Sequence, residues 1–267
     1  MIEIIRNHWQ PGRIRHAVFD FDGTLSLIRE GWQQSMAETM MAELLQTPDH
    51  EDEPALGAWV IELITQTTGQ TASYQMACLA EEVGQRGGQV QDPLVYKERY
   101  VQRLGERINS RVEALKSGRV SSDDIMVPGA RAILEAMRER GVRCYLVSGT
   151  YEPYVLDEAA ALNLTQYFDS IHGAQDDPTR FSKKQFMERL VAQHHLQESQ
   201  FASLGDGSVE IAEAKPLGGI AIGVASSEAR RTGLDMGKRD LLIRAGADII
   251  VPDFREHRAL LALLFEA

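Results

Sequence analysis

Residues 16–25 read His-Ala-Val-Phe-Asp-Phe-Asp-Gly-Thr-Leu, an apolar run that ends in two carboxylates. The run predicts a short buried β-strand over residues 16–19. Asp20 and Asp22 are two positions apart, and Gly23 allows the chain to turn sharply just after them. In open parallel sheets ligands bind beyond the carboxyl ends of the strands, so this acid pair lies where a ligand site is expected. The alternative is a solvated turn, because Asp and Gly are both turn formers.

The chain beyond this stretch alternates between strand and helix patterns. Four further apolar runs have the composition of short strands, at 142–147, 201–204, 220–224 and 248–251. Helical patterns separate them, at 129–140, 153–162, 184–195, 209–216 and 255–265. Such alternation predicts βαβ units and an α/β fold, with a Rossmann-like parallel sheet as its core.

The region from residue 28 to residue 120 has a different pattern. It contains about four helical stretches and no strand candidate; the stretches are 30–45, 55–67, 73–85 and 94–116. The sequence therefore predicts an all-α cap domain over 28–120, inserted into an α/β core domain made of 1–27 and 121–267. Arg29, near the start of the insertion, is a candidate for a substrate contact.

Polar motifs accompany the predicted strands. Ser148-Gly149-Thr150 follows one strand, and its hydroxyl and backbone N–H groups are suited to receive a phosphate. Gly205-Asp206-Gly207 follows another strand, and Glu210 lies one helical turn later. Lys183 stands in the first turn of a predicted helix, where a cation interacts unfavourably with the helix dipole. Its presence there suggests a functional role. Because Lys184 is adjacent, the sequence leaves open which of the two lysines has that role. Taken singly, each motif is also a common turn or an exposed side chain.

The order and spacing of these motifs resemble the haloacid dehalogenase-like (HAD) superfamily. The resemblance covers nearly the whole chain, with 12–27 and 121–252 matching the core and 28–120 matching a helical cap. It implies that Asp20 is a nucleophile that forms an aspartyl-phosphate, and that Asp22 protonates the leaving alcohol and later activates water. Lys183 would stabilise the nucleophile and the phosphoryl oxygens.

The resemblance also implies a phosphate site and a metal site. The implied phosphate-binding residues are Thr24, Ser148, Gly149 and Lys183. Mg²⁺, a hard cation that prefers oxygen ligands, would be bound by Asp20, by Asp206 and by Asp22 through its backbone carbonyl. Glu210 would contact these ligands without binding the metal itself.

Asp22 argues against a dehalogenase reaction, because dehalogenase relatives lack this second acid. The expected activity is Mg²⁺-dependent hydrolysis of a small phosphorylated metabolite, a phosphate monoester. Sugar-phosphate mutases share both aspartates and a helical cap, and they remain an alternative. A catalytically silent protein that binds a phosphorylated metabolite is a third hypothesis, and it would require the loss of a catalytic residue.

Composition limits the partners. The chain has 28 Lys and Arg residues against 39 Asp and Glu residues, a formal net charge of -11, and no cluster of basic residues, which argues against a nucleic-acid partner. The longest apolar runs, near 249–251 and 260–265, are too short to span a bilayer. Cys78 and Cys144 have no metal-ligand spacing. The expected compartment is the cytoplasm.

Overall fold

The computed structural model describes residues 1–68, 70–175 and 181–266. The chain divides into two compact units, Met1–Glu30 with Val112–Ala267, and Gly31–Arg111. Within the described residues seven strands are numbered in chain order: β1 Glu3–Ile4, β2 His16–Phe19, β3 Arg143–Tyr151, β4 Ser170–Ala174, β5 Phe201–Gly205, β6 Ile220–Val224 and β7 Ile249–Val251. All of them belong to the first unit.

The helices are likewise numbered in chain order. They are α1 Trp32–Leu44, α2 Glu53–Gln66, α3 Ala72–Gln85, α4 Pro93–Lys116, α5 Ala130–Glu139, α6 Glu152–Ala161, α7 Lys183–His194, α8 Ser208–Ala214, α9 Met236–Ala245 and α10 His257–Phe265. None of the described helices is long and apolar enough to cross a membrane.

The seven strands form one sheet in the order β1-β7-β6-β5-β2-β3-β4. Every neighbouring pair is parallel except β1 and β7, which are antiparallel. This arrangement confirms the expected α/β fold with a mostly parallel sheet. Strand β2 is central, and its last residue, Phe19, pairs with Leu146 of β3 and Leu204 of β5. The carboxyl ends of these three strands therefore meet at one edge of the sheet.

The sheet is held by apolar side chains. All four residues of β2 and all five of β5 and β6 are buried. Val18, Tyr145 and Phe201 pack in one cluster with Phe186 and Met187 of α7. Burying one large apolar side chain stabilises a fold by about 1.5–3 kcal/mol, so this cluster fixes α7, and the residues at its start, against the sheet.

The second unit contains α1, α2, α3 and the larger part of α4, and none of the strands found in the described residues lies in it. Helix α1 packs on α2 and α3. Its buried residues recur with helical spacing: Ser35, Met36, Thr39, Met40 and Leu44. Helix α2 begins where the Asp52 side chain accepts a hydrogen bond from Ala55 N, and α3 begins at a matching Thr71 cap.

Three elements were not predicted from the sequence: β1, β4 and α9. Strand β1 has two residues, and β4 is a short edge strand with polar positions, so neither has a clear apolar alternation. Helix α9 buries only Leu242, which leaves no apolar stripe to detect. The predicted end of β3 at Val147 was also wrong, since the strand continues to Tyr151 with an irregular register after Val147.

Candidate functional site

The site begins at the carboxyl edge of the two central strands. Asp20 directly follows β2, and its backbone N–H donates to the carbonyl of Leu204 in β5 over 2.9 Å. Asp206 directly follows β5. Both side chains are buried, each with 5% of the residue surface exposed. The parallel register therefore brings together two carboxylates that are 186 positions apart in sequence number (206 minus 20).

A buried lysine lies against the first carboxylate. Lys183 Nζ is 2.7 Å from Asp20 Oδ1, and it also contacts Glu210 Oε1. Lys183 is the first residue of α7, whose start is fixed by Ser182 accepting a hydrogen bond from Gln185 N at 3.0 Å. Lys184 points elsewhere: its side chain is 57% exposed and lies 3.6 Å from Glu213. Of the two candidate lysines, the structure thus brings Lys183 to Asp20.

The second acid of the pair has different neighbours. Thr150 Oγ1 donates to Asp22 Oδ2 over 2.8 Å, and Arg29 Nε lies 3.9 Å from Asp22 Oδ1. Arg29 is itself held by two hydrogen bonds to the buried Glu158 of α6, at 3.2 and 2.5 Å, and it stacks over the ring of Tyr154. A hydroxyl and a guanidinium therefore face the Asp22 carboxylate.

These surroundings change the proton affinity of both acids. Burial raises the pKa of Asp20 to about 6, although Lys183 opposes that shift and Asp206 adds to it. Burial likewise raises the pKa of Asp22 to about 7, against the charge of Arg29 and with the charge of Glu158. A carboxyl with a pKa near neutrality can both donate and accept a proton at physiological pH.

Asp206 is paired with a lysine that sequence reasoning missed. Lys238 Nζ lies 2.7 Å from Asp206 Oδ2 and 2.7 Å from Glu228 Oε1. Burial lowers the pKa of Lys238, but the two carboxylates outweigh it and hold that pKa above its usual range. Gly23 packs directly on this group, because a Cβ there would lie 2.1 Å from Asp206 Oδ2. The turn after the acid pair therefore requires glycine for space as well as for its φ of +72°.

The predicted phosphate-binding residues lie at the same edge. Ser148 is buried, and its Oγ accepts a hydrogen bond from Thr150 N at 3.1 Å. Ser148, Gly149 and Thr150 occupy the irregular end of β3, and not a loop after it as predicted. Thr24 is fully buried, and its Oγ1 has no hydrogen-bond partner among the described residues.

The oxygen atoms near Asp20 are the type of ligand that Mg²⁺ prefers. Within residues 1–68, 70–175 and 181–266, no three His, Cys, Asp or Glu side chains are grouped to hold a metal ion. The expected ligand set contains two carboxylates, of Asp20 and Asp206, with the backbone carbonyl of Asp22 as the third oxygen. Asp206 raises the pKa of both Asp20 and Asp22, so these carboxyl groups lie close enough to repel one another. Such a donor set fits a hard dication.

Three functional neighbours could not be identified from the sequence. The sequence places Thr150 in a motif suited to receive a phosphate but does not predict its contact with Asp22, and Glu158 lies in a helix with no motif of its own. Lys238 lies in α9, which has no detectable pattern. Each of them forms a hydrogen bond with a residue more than 30 positions away, so no local sequence motif predicts the contact.

Comparison with known families gives a match over most of the chain. A model of the haloacid dehalogenase-like hydrolases matches residues 14–218. That range includes Asp20, Asp22, Ser148, Lys183 and Asp206, and it ends before α9. The chain also shares sequence with named proteins over a large part of its length.

A 5'-nucleotidase from Pseudomonas aeruginosa is 25% identical over 213 residues, which cover 79% of this chain and 83% of the relative. A phosphoglycolate phosphatase from Shigella boydii is 20% identical over 240 residues, which cover 89% of this chain and 91% of the relative. Among solved structures, a candidate β-phosphoglucomutase from Bacteroides vulgatus superposes with a TM-score of 0.62 at 12% identity, over 97% of this chain and 93% of that one. The last comparison concerns the fold alone.

Proposed function

The chain belongs to the haloacid dehalogenase-like hydrolase family, and from that membership we propose that it is a phosphatase that hydrolyses a small phosphate monoester through an aspartyl-phosphate on Asp20. The relatives named as a 5'-nucleotidase and a phosphoglycolate phosphatase both act, by their names, on phosphate monoesters, which supports this reaction class.

The observation that carries the proposal is the pairing of Asp20 with Lys183, beside Asp22 and Thr150. Lys183 Nζ, 2.7 Å from Asp20 Oδ1, stabilises the carboxylate and occupies one of its two oxygens. We assign the attack on phosphorus to Oδ2. Glu210 contacts the same ammonium, so the lysine is held from two sides and orients the nucleophile before substrate arrives.

Asp22 supplies the proton that the reaction needs. In the first step the bond from Asp20 Oδ2 to phosphorus forms, the ester P–O bond breaks, and the proton of Asp22 moves to the leaving oxygen. In the second step water attacks phosphorus and gives a proton back to Asp22, and the Asp20–phosphorus bond breaks to release phosphate. A pKa of about 7 suits both steps, because neither protonation state is scarce near neutral pH.

The remaining residues bind the phosphoryl group. The Ser148 hydroxyl, Lys183 and the backbone N–H groups around Gly149 would hold its oxygens. The Thr24 hydroxyl, which has no partner within the described part of the chain, lies in the turn that carries Asp22. We assign the metal to Asp20, Asp206 and the Asp22 carbonyl, with Glu210 supporting through Lys183. Mg²⁺ bound there would offset the negative charge that a phosphate brings to this acidic site.

A direct test measures the release of inorganic phosphate. With Mg²⁺ present, a panel of nucleotides, sugar phosphates and small organic phosphates should release inorganic phosphate from at least one monoester without a bisphosphate activator. A rapid quench, or beryllium fluoride in place of substrate, should trap an adduct on Asp20. The Asp20→Asn variant should fold and form no adduct, because an amide cannot become an acyl phosphate.

Other results would change the assignment. If phosphorus NMR detected only a positional isomer and no free phosphate, the sugar-phosphate mutase alternative would replace the hydrolase. An adduct on another residue, or full turnover by Asp20→Asn, would overturn the mechanism.

A further inference from the structure

Lys238 is a largely buried cation next to an assigned metal ligand. Its side chain is 13% exposed, and the Asp206 and Glu228 side chains beside it are 7% and 11% exposed. The backbone N–H of Lys238 donates to Asp235 Oδ1 at 3.0 Å, in the cap that starts α9. The position of the lysine is therefore set by a helix start, and its ammonium is set by two carboxylates at 2.7 Å each.

The surrounding backbone leaves this group little room. A Cβ on Gly23 would lie 2.1 Å from Asp206 Oδ2 and 3.2 Å from Glu228 Oε1, so both oxygens lie against the turn that carries Asp22. The Ser226 hydroxyl donates to the carbonyl of Gly23 at 2.8 Å, which ties the start of the 226–235 segment to that turn. Lys238 is thus built into the structure and is not a solvated side chain that happens to lie nearby.

The positive charge of Lys238 affects how strongly Asp206 can bind a metal ion. A carboxylate that already neutralises a fixed ammonium attracts a dication less than a bare carboxylate does, and two cations that share one carboxylate repel each other strongly in a poorly solvated site. Without a metal, the same ammonium relieves the repulsion among Asp20, Asp22 and Asp206. Two ammonium groups therefore offset the acids of the site, Lys183 at Asp20 and Lys238 at Asp206.

We propose that Lys238, held by Glu228, is an internal cation that competes with the divalent metal for Asp206, and that it sets the metal affinity of the site. It is a positioning residue, because it acts through Asp206 and not on the reacting atoms. This inference rests on the proposed function for its assignment of Asp206 as a metal ligand. The strength of this competition sets how much Mg²⁺ the enzyme needs.

The test measures binding of the metal alone. Isothermal titration calorimetry with Mg²⁺, and electron paramagnetic resonance with Mn²⁺, are run on the full chain without substrate. Lys238→Met removes the charge at nearly constant volume and should tighten the Kd at least threefold. Glu228→Gln leaves the ammonium to Asp206 alone and should weaken the Kd at least threefold. Lys238→Arg retains the charge and should remain within twofold of wild type.

A matched control tests whether net charge alone is responsible. Lys215 makes the same kind of pair with the buried Asp248, at 2.7 and 2.9 Å, but Asp248 precedes β7 and so lies at the other edge of the sheet. Lys215→Met therefore changes the net charge as Lys238→Met does, and it should leave the Kd unchanged. Melting curves in EDTA establish that each variant is folded, and Glu228→Gln decides the question if Lys238→Met does not fold.

The outcomes separate this inference from the proposed function. If wild type binds no divalent metal, or Asp206→Asn binds it equally well, the metal assignment fails and this inference fails with it. If wild type binds through Asp206 but Lys238→Met binds no more tightly, only the competition is overturned. Weakening by both Lys238→Met and Glu228→Gln would mean a purely structural role and would also overturn it.

Discussion

The hydroxyl of Thr150 donates a hydrogen bond of 2.8 Å to Asp22 Oδ2, across a separation of 128 residues. The irregular end of β3 makes this contact possible, because the register shift between Val147 and Tyr151 carries Thr150 past the regular strand. A donated hydrogen bond stabilises the ionised carboxylate, whereas burial stabilises the protonated form. The pKa of about 7 at Asp22 is the balance of burial, Arg29, Glu158 and this hydroxyl.

Thr150→Val should therefore shift the pH dependence of the reaction. Losing a hydrogen bond to a charged group costs about 1.5–3 kcal/mol, so the pKa of Asp22 should rise by about one to two units. Because Asp22 must be protonated to act as the acid, the basic limb of kcat/KM should move to higher pH. The measurement is a pH–rate profile with an aryl phosphate, with Thr150→Ser as the control that keeps the hydroxyl. An unmoved limb in Thr150→Val would refute this role.

Gly23→Ala should damage the site more than the fold. Gly23 and Gly141 both have positive φ, +72° and +75°, so alanine at either position should cost about 1–3 kcal/mol of stability. At Gly23 the added Cβ would collide with Asp206, whereas at Gly141 no atom of the described residues lies within 4 Å of the corresponding position. Displacing the proposed metal ligand in this way should lower kcat/KM about 100-fold in Gly23→Ala alone. Equal activity losses in the two variants would contradict the contact.

Mg²⁺ should stabilise the protein by mass action, by about 2.7 kcal/mol at a concentration 100 times its Kd. Asp206→Asn should reduce that gain, because a neutral amide is a poorer ligand for a hard dication. The measurement compares the Tm with and without Mg²⁺ in wild type and Asp206→Asn. Identical Mg²⁺ shifts in both proteins, or activity that survives EDTA undiminished, would mean that Asp206 does not hold a catalytic metal.

Acid should destabilise the fold partly through His16. Burial, together with the nearby His194 and Arg143, lowers the pKa of His16 from 6.5 to about 4, and its Nδ1 lies 3.0 Å from the Tyr145 hydroxyl. Between those two pH values the unfolded chain binds a proton that the folded chain does not, so the free energy of unfolding falls as the pH falls. Above pH 6.5 the residue has no such effect. Urea titrations from pH 7.5 to 4.5 should give a shallower decline for His16→Gln, and an equal decline would disprove the assignment.

Elements with a clear local sequence signal could be predicted from the sequence. Strand β2 is found at the predicted residues because four consecutive positions are buried in the sheet. The start of α7 follows the Ser182 cap, which needs only residues three positions apart. That strand and that helix start carry Asp20 and Lys183, so the sequence was enough to predict that they share an edge.

The partners of the predicted residues were decided by tertiary structure. Lys183 and Lys184 are indistinguishable as a dipeptide, and they differ only because the packing of α7 buries one and exposes the other. Lys238 reaches Asp206 through a helix that has almost no apolar face.

The sequence by itself thus determined the α/β fold class and the strand ends at which Asp20 and Asp206 stand, since periodicity and turn chemistry are short-range properties. Only the tertiary structure decided that Thr150 faces Asp22 and that Lys238 neutralises Asp206. The physical reason is that hydrogen bonds and ion pairs act over about 3 Å of space, whatever the separation along the chain. The pKa values of the two central acids depend on such contacts and on burial, which no local stretch of sequence encodes.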